Sequence, residues 1–397
     1  MGRLLQIFNN LVFGYSETKF YKDVRFWLLL IVINCGANLG FNYHFDQQAT
    51  KIVLFFICLY LLCIRKCGHM VRDGAVFIVA FALILFLQSI YVEYYSITTS
   101  IHYLLMISIA VMTVSICGRT FTRYFSSIIF VYAVISLCCF FAGYVGIQIP
   151  YIPITESSID GGKIMRVYNI YYTQLGNPLS GITYSPRNCG PFWEPGAYQG
   201  FLNLSLFFEL TMKQDRNSMW LIRILILIIT IITTISTGGY IVLFVILTYY
   251  FSRDKGISTP IKAFLSLSMM YVIYLSYTTL DFLGDKIEND SGRLSFSFTD
   301  FSNPLYMIFG YGYSPESFKD SSIVSASSIF NLFRYMGIIG FGCYFVRLLF
   351  NKCPLRLIYF IIICLILTNE PFLSNAMIWW AMPFVSYDLY RNQKYNI

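Results

Sequence analysis

Apolar stretches long enough to cross a membrane follow one another along almost the whole 397-residue chain, separated mostly by short polar gaps. A spanning helix needs about 20 mainly apolar residues, within about 17–25. On that criterion spans are expected near 26–43, 48–64, 74–92, 97–117, 124–146, 197–212, 220–235, 239–251, 260–280, 327–348, 355–369 and 376–390. The segments 50–64 and 239–251 are short enough to tilt little or to be partly re-entrant. Residues 220–251 read either as one long helix or as two helices broken at Ser236-Thr237-Gly238-Gly239. Both flanks of that run are basic, so two crossings are needed to return them to one face, and the glycines supply the turn. Leu4–Tyr15 reads as a short interfacial helix, and Met1–Arg25 lacks the apolar core and small-residue site of a cleaved signal.

Composition agrees with this pattern. Hydrophobic residues make up 57% of the chain and charged residues 12%, with a mean hydropathy of +0.63. Soluble domains carry about 25% charged residues, so this chain lacks half the polar cover such a domain needs. The expected fold is an all-α polytopic membrane protein of about twelve transmembrane helices, a single integral membrane domain over 1–397. Most of the 11 cysteines fall within or beside apolar runs, where a thiol behaves as a small hydrophobe. Cys63, Cys67 and His69 make a poor zinc set, and no metal site is expected. The chain has no Walker loop, dinucleotide fingerprint or nucleophile elbow.

Charge gives the orientation. Basic residues collect in every second gap and at both termini, which together hold twenty of the 28 Lys and Arg. The positive-inside rule makes that side cytoplasmic, with both termini inside. The opposite face carries two long loops, 150–196 and 281–326, and most of the acidic residues. Against that background Lys163, Arg166, Arg187, Lys286, Arg293 and Lys319 stand out, because orientation does not explain them. No nucleic-acid partner is expected.

The first loop ends in Ser185-Pro-Arg-Asn-Cys-Gly-Pro-Phe-Trp-Glu-Pro-Gly-Ala-Tyr-Gln-Gly-Phe-Leu202. Pro186, Pro191 and Pro195 oppose a regular helix before about Gly196 and predict an irregular segment holding Arg187 and Glu194 at the membrane surface. Two readings stand side by side. In one, the segment is a rigid re-entry turn, with Trp193 an interfacial anchor and Glu194 capping the following helix. In the other, Arg187 grips phosphate, Trp193 and Tyr198 stack on sugar, and Glu194 takes a proton from an attacking hydroxyl. The second loop carries Asp290-Ser-Gly-Arg293 and Asn303-Pro-Leu-Tyr-Met-Ile-Phe-Gly-Tyr-Gly-Tyr313. There Arg293 is either half of a surface ion pair, worth little, or a second guanidinium for the same ligand. Arg334 falls about 10 Å inside the tenth expected span at 1.5 Å per residue. It either snorkels to the headgroups or faces a cavity or partner, with Glu370 a candidate.

With these residues in view, the chain resembles an O-antigen polymerase of the Wzy type over its whole length. Arg187-Asn-Cys-Gly-Pro-Phe-Trp-Glu-Pro-Gly-Ala-Tyr-Gln199 resembles the R-x-x-G-x-x-x-E-P-G-x-x-Q segment common in these proteins. Ser291-Gly-Arg293 with Phe309-Gly-Tyr-Gly312, and Asn369–Asn375, resemble the other patterns. The resemblance implies a GT-C-like transferase of the bacterial inner membrane with two large periplasmic loops, using undecaprenyl-diphosphate-linked glycans without metal or cofactor. Its partners would be membrane lipid and a chain-length-determining co-polymerase. Arg187, Arg293, Arg166 and Arg334 would hold the diphosphate, Glu194 would activate or orient the acceptor hydroxyl, and Trp193, Tyr198, Gln199 and Tyr313 would line the substrate site. Two departures bear on it. Neither Arg187 nor Arg293 fits the Arg-x(10)-Gly spacing of some polymerases, and 281–328 lacks the histidine expected of an O-antigen ligase. The competing class is a flippase for lipid-linked oligosaccharide.

Overall fold

The structure, a computed structural model, describes residues 23–38, 41–42, 46–65, 68–93, 95–147, 152–156, 163–167, 171–177, 182–211, 218–253, 304–312, 327–350 and 355–385, with 267 and 271. The expected span near 260–280 lies outside them apart from those two positions, as do both chain ends.

In chain order the helices are α1 (Val24–Ala37), α2 (Gln47–Arg65), α3 (Gly68–Tyr91), α4 (Ile97–Cys117) and α5 (Phe121–Tyr144). Four strands follow: β1 (Ile152–Glu156), β2 (Lys163–Val167), β3 (Tyr172–Asn177) and β4 (Ile182–Gly190). Then come α6 (Pro195–Thr211), α7 (Ser218–Thr233), α8 (Thr237–Arg253), α9 (Pro304–Phe309), α10 (Ser328–Leu349), α11 (Arg356–Asn369) and α12 (Phe372–Asn375). Among the described residues four helical runs are long and apolar enough to cross a membrane: Gln47–Ile64, Arg72–Tyr91, Ile97–Gly143 and Ser328–Leu349. The third holds α4 and α5, joined by a 3-10 turn over Gly118–Thr120 where Gly118 takes φ +50. On α2, Ile52, Val53, Phe56, Ile57 and Tyr60 are exposed, and on α3 so are Val76, Val79, Leu83, Phe86 and Ile90. Such apolar stripes suit hydrocarbon, where the helix satisfies its own backbone. The protein is a mostly helical membrane protein.

The described residues fall into two compact units, Met1–Asp46 with Thr120–Met270, and Gln47–Arg119 with Tyr271–Ile397. In the first, α6 is buried on every side from Pro195 to Glu209, as expected of a helix without a polar face. Phe192 stacks on Phe201 at 4.3 Å and on Tyr198 at 5.4 Å, and Phe125 of α5 stacks on Phe201 at 6.1 Å. Asp23 caps α1 and accepts from the Tyr124 hydroxyl of α5 at 2.7 Å.

The first long loop departs from the all-α expectation. It forms an antiparallel sheet in the order β1-β2-β3-β4. Its strands are rich in Ile, Val, Thr and Tyr, which favour extended backbone, and Asp160-Gly161-Gly162 between β1 and β2 is turn sequence. Pro186 was expected to leave an irregular segment; it lies inside β4. A strand with one neighbour tolerates proline: within the sheet β4 pairs with β3 alone, with register shifts along the pair.

In the second unit, Trp379 and Trp380 are buried at the centre with Tyr344 and Tyr359. The expected span near 376–390 begins as a 3-10 segment, Met377–Ala381. Pro383 has no N–H for the Trp379 carbonyl. That oxygen accepts instead from Met382 N–H and from the Tyr344 hydroxyl at 2.8 Å.

Candidate functional site

The Arg187–Gln199 segment folds as the end of β4, a turn and the start of α6. Gly190 takes φ +53, and a Cβ there would strike the Tyr198 ring, so both its backbone and its space require glycine. The turn closes with Phe192 N–H on the Cys189 carbonyl at 3.1 Å, and Phe192 bridges to Asn38. Pro195 occupies the first helical position, where its missing N–H has no partner to lose. The Glu194 carbonyl accepts Tyr198 N–H at 3.0 Å, so Glu194 is the N-terminal cap residue. α6 therefore begins at Pro195, two residues before the expected Ala197.

Arg187 is 8% exposed. Its Nε donates to the Thr234 carbonyl at 3.3 Å and an Nη to the Ile235 carbonyl at 2.9 Å. These oxygens lie just past the end of α7, where helical carbonyls lack intrahelical donors and the helix dipole favours a cation. Ile235 takes φ 47, so the break between α7 and α8 falls at Thr234–Ser236, and Thr237 already begins α8. The guanidinium thus serves as a C-terminal cap for α7 and is held in a fixed plane.

Beside it runs a buried polar network that sequence reasoning missed. Asn188 donates to Thr233 Oγ1 at 3.0 Å and to Ser136 Oγ at 3.3 Å, and Ser136 meets the Tyr198 hydroxyl at 2.8 Å. Gln199 Oε1 accepts from Asn203 at 3.0 Å, and Asn203 also donates to the Gly239 carbonyl. Gln199 Nε2 and Asn203 Oδ1 have no hydrogen-bond partner among the described residues. Trp193 and Glu194 are half-buried, whereas Tyr198 and Gln199 are fully enclosed. Tyr198 and Gln199 accordingly belong to the packed interior of this unit, behind the turn. The sequence signal was available: Asn188, Gln199 and Asn203 are amides beside or within an apolar run.

Elsewhere in this unit Arg223, counted with the basic gaps, is buried against Glu209. Its Nε donates to Glu209 Oε1 at 3.2 Å, an Nη makes a second contact with that oxygen, and the guanidinium lies 4.6 Å from the Phe130 ring centre.

Arg334 lies in the second unit, on α10, three residues before a break at Gly337 (φ 61, ψ −171). The Arg334 and Tyr335 carbonyls accept from the N–H groups of Tyr311 at 2.8 Å and Gly312 at 3.1 Å. Phe309-Gly-Tyr-Gly312 is thereby docked on the broken helix. Glu370, the candidate partner of Arg334, is buried, and its carbonyl accepts from Ser328 Oγ at 2.5 Å. Arg293 and Tyr313 lie outside the described residues. Arg166 is placed by its backbone, opposite Pro153 and Thr173 in the sheet. Among the described residues no three His, Cys, Asp or Glu side chains converge as a metal site. No family model, curated protein or solved structure matches this chain.

Proposed function

We propose that this protein polymerises undecaprenyl-diphosphate-linked repeat units into O-antigen polysaccharide at the periplasmic face of the bacterial inner membrane. The observation that carries the reading is the Arg187–Gln199 segment. Its sequence resembles that of the polymerases, and its fold sets an arginine, an indole and a carboxylate within eight residues on one strand–turn–helix junction.

In the proposed reaction the acceptor is the terminal hydroxyl of a fresh lipid-linked unit. Its oxygen attacks the anomeric carbon of the growing glycan. The bond from that carbon to the diphosphate oxygen breaks, and undecaprenyl diphosphate leaves with the electron pair. Glu194 accepts the hydroxyl proton. Arg187, Arg293, Arg166 and Arg334 are the candidates for neutralising the charge gathering on the diphosphate, the largest demand of such a step. Trp193 offers a face for a sugar ring. A co-polymerase would set chain length. The test is incubation of the purified protein with a defined lipid-linked repeat unit, which yields a ladder of lipid-linked oligomers on this reading.

One observation favours a second reading. A helix broken beside an intramembrane arginine, with a short helix docked on the break, is the kind of element that forms substrate sites in transporters. A flippase would move the lipid-linked unit across proteoliposomes and leave its length unchanged.

A further inference from the structure

Three glycines with left-handed backbone meet at one place in the second unit: Gly310 (φ 84), Gly312 (φ 69) and Gly337 (φ 61). A Cβ on Gly310 would strike the Tyr335 carbonyl, and one on Gly337 would strike the Ile308 carbonyl, so neither position accepts a larger residue unstrained. The break at Gly337 withdraws the Arg334 and Tyr335 carbonyls from the helical ladder, in which residues 338 and 339 would have donated to them. Tyr311 and Gly312 supply the N–H groups instead.

A side chain from a third element completes this join. Gln88 of α3 is fully buried in an otherwise apolar stretch. Its Nε2 donates to the Phe309 carbonyl and to the Tyr335 carbonyl, both at 2.6 Å. One nitrogen therefore ties the end of α9 to the break in α10. Tyr91, three residues further along α3, donates its hydroxyl to the Gly310 carbonyl at 2.6 Å. Tyr306 and Tyr311 stack at 4.2 Å and 8° over the same turn. Only a group with two N–H bonds on one atom can serve both carbonyls. A carboxylate presents acceptors to acceptors, and an alkyl group takes the side-chain donor from the Phe309 carbonyl and leaves the Tyr335 carbonyl with the Gly312 N–H alone. Gln88 Oε1 has no partner among the described residues, and a Cβ on Gly312 would sit 3.2 Å from it.

We propose that Gln88 is a positioning residue that acts through Arg334. By holding the Phe309–Gly312 turn on the broken helix, it fixes the backbone that carries the Arg334 guanidinium and so sets the affinity for a lipid diphosphate. The identity of that ligand rests on the function proposed above; the clamp itself rests on the geometry. Tyr91 supports the same turn from the next helical turn of α3.

The experiment uses the full chain in nanodiscs, with undecaprenyl diphosphate as the probe. Binding and the hydrogen exchange of the 304–312 backbone are measured for wild type, Gln88→Leu, Gln88→Glu, Arg334→Lys and the Gln88→Leu/Arg334→Lys pair. Gln88→Leu is expected to speed exchange at Tyr311 and Gly312 and to weaken binding about tenfold. Arg334→Lys is expected to weaken binding by a similar factor, and the pair to be no worse than Arg334→Lys alone, the non-additivity of residues acting as one unit. If Gln88→Leu does not accumulate, the isosteric Gln88→Glu is read in its place. Additive losses, faster exchange with unchanged binding, or no probe binding by wild type would each overturn the proposal. Wild-type protein that binds the probe with the expected pattern yet never transfers sugar would sink the transferase reading and leave the clamp standing.

Discussion

Arg187 and Ile235 are 48 residues apart, and an Nη of the first donates to the carbonyl of the second at 2.9 Å. That bond ties the motif-bearing strand to the end of α7 and gives Arg187 a structural task whatever ligand it also meets. Arg187→Ala leaves two carbonyls without their donor and is expected to destabilise the protein by about 1.5–3 kcal/mol. Sequence alone predicts loss of polymer at normal protein level; the hydrogen bonds predict a lower thermal midpoint as well. Arg187→Lys separates the effects, because it retains charge near the helix end but loses the planar fork. It is expected to recover part of the stability and little of the polymer, read by thermal denaturation and by lipopolysaccharide laddering.

Glu194 supplies the α6 cap through its main-chain carbonyl. Glu194→Gln keeps that carbonyl and the side-chain shape, so stability should change by no more than about 0.5 kcal/mol. Polymer synthesis should fall at least a hundredfold if the carboxylate takes the proton. Full activity in this variant would leave Glu194 as a cap alone.

Gly337→Ala places a methyl group at φ 61 against the Ile308 carbonyl. At ψ −171 this backbone lies in a region open essentially to glycine alone, which costs about 1–3 kcal/mol for a residue with a Cβ, and the clash adds to it. Gly342→Ala on the same helix meets nothing within 4 Å and should be nearly neutral. Paired thermal-shift measurements check the contrast.

The buried ion pair makes a third contrast. Glu209→Ala removes the carboxylate that the buried Arg223 donates to and should cost about 3–5 kcal/mol, whereas the Glu209→Leu/Arg223→Leu pair should lie close to wild type. Denaturation of the three proteins in one detergent decides it. A double variant as unstable as the single one would give the pair a role beyond mutual neutralisation.

Asp23 gives the pH dependence. Burial raises its carboxyl, but hydrogen bonds from Arg25 and Tyr124 and the Arg25 charge more than offset this and hold it well below the usual carboxylate range. The folded state therefore prefers the ionised form. The resulting stability is fully present above the unfolded value, about pH 4, and is lost as pH falls from there towards the folded value. Asp23→Asn should be less stable at pH 7 and show a flatter loss below pH 4, measured by the thermal midpoint at each pH.

Part of this fold was legible because apolar length is a local signal. α2, α4 and α10 lie within a residue of their expected bounds, whereas α3 starts six residues early; α6 starts two residues before the expected Ala197, with Glu194 near its N-terminus as expected. The sheet was missed because its strands read as polar loop beside such apolar neighbours, although Asp160-Gly161-Gly162 offered the turn. Long-range relationships left no local trace. Nothing near Arg187 shows that it caps a helix ending at Thr233, and nothing near Gln88 shows the carbonyls of Phe309 and Tyr335. Arg334 was found because charge in an apolar run is conspicuous; the break beside it was not, since Gly337 is one of several glycines in that helix.

The most direct test is the purified protein with a single synthetic undecaprenyl-diphosphate-linked repeat unit, products being resolved by mass. The account predicts oligomers that grow by whole repeat units, with one undecaprenyl diphosphate released per bond formed. Substrate that is returned unextended by active, folded protein, or that only changes leaflet, would contradict it.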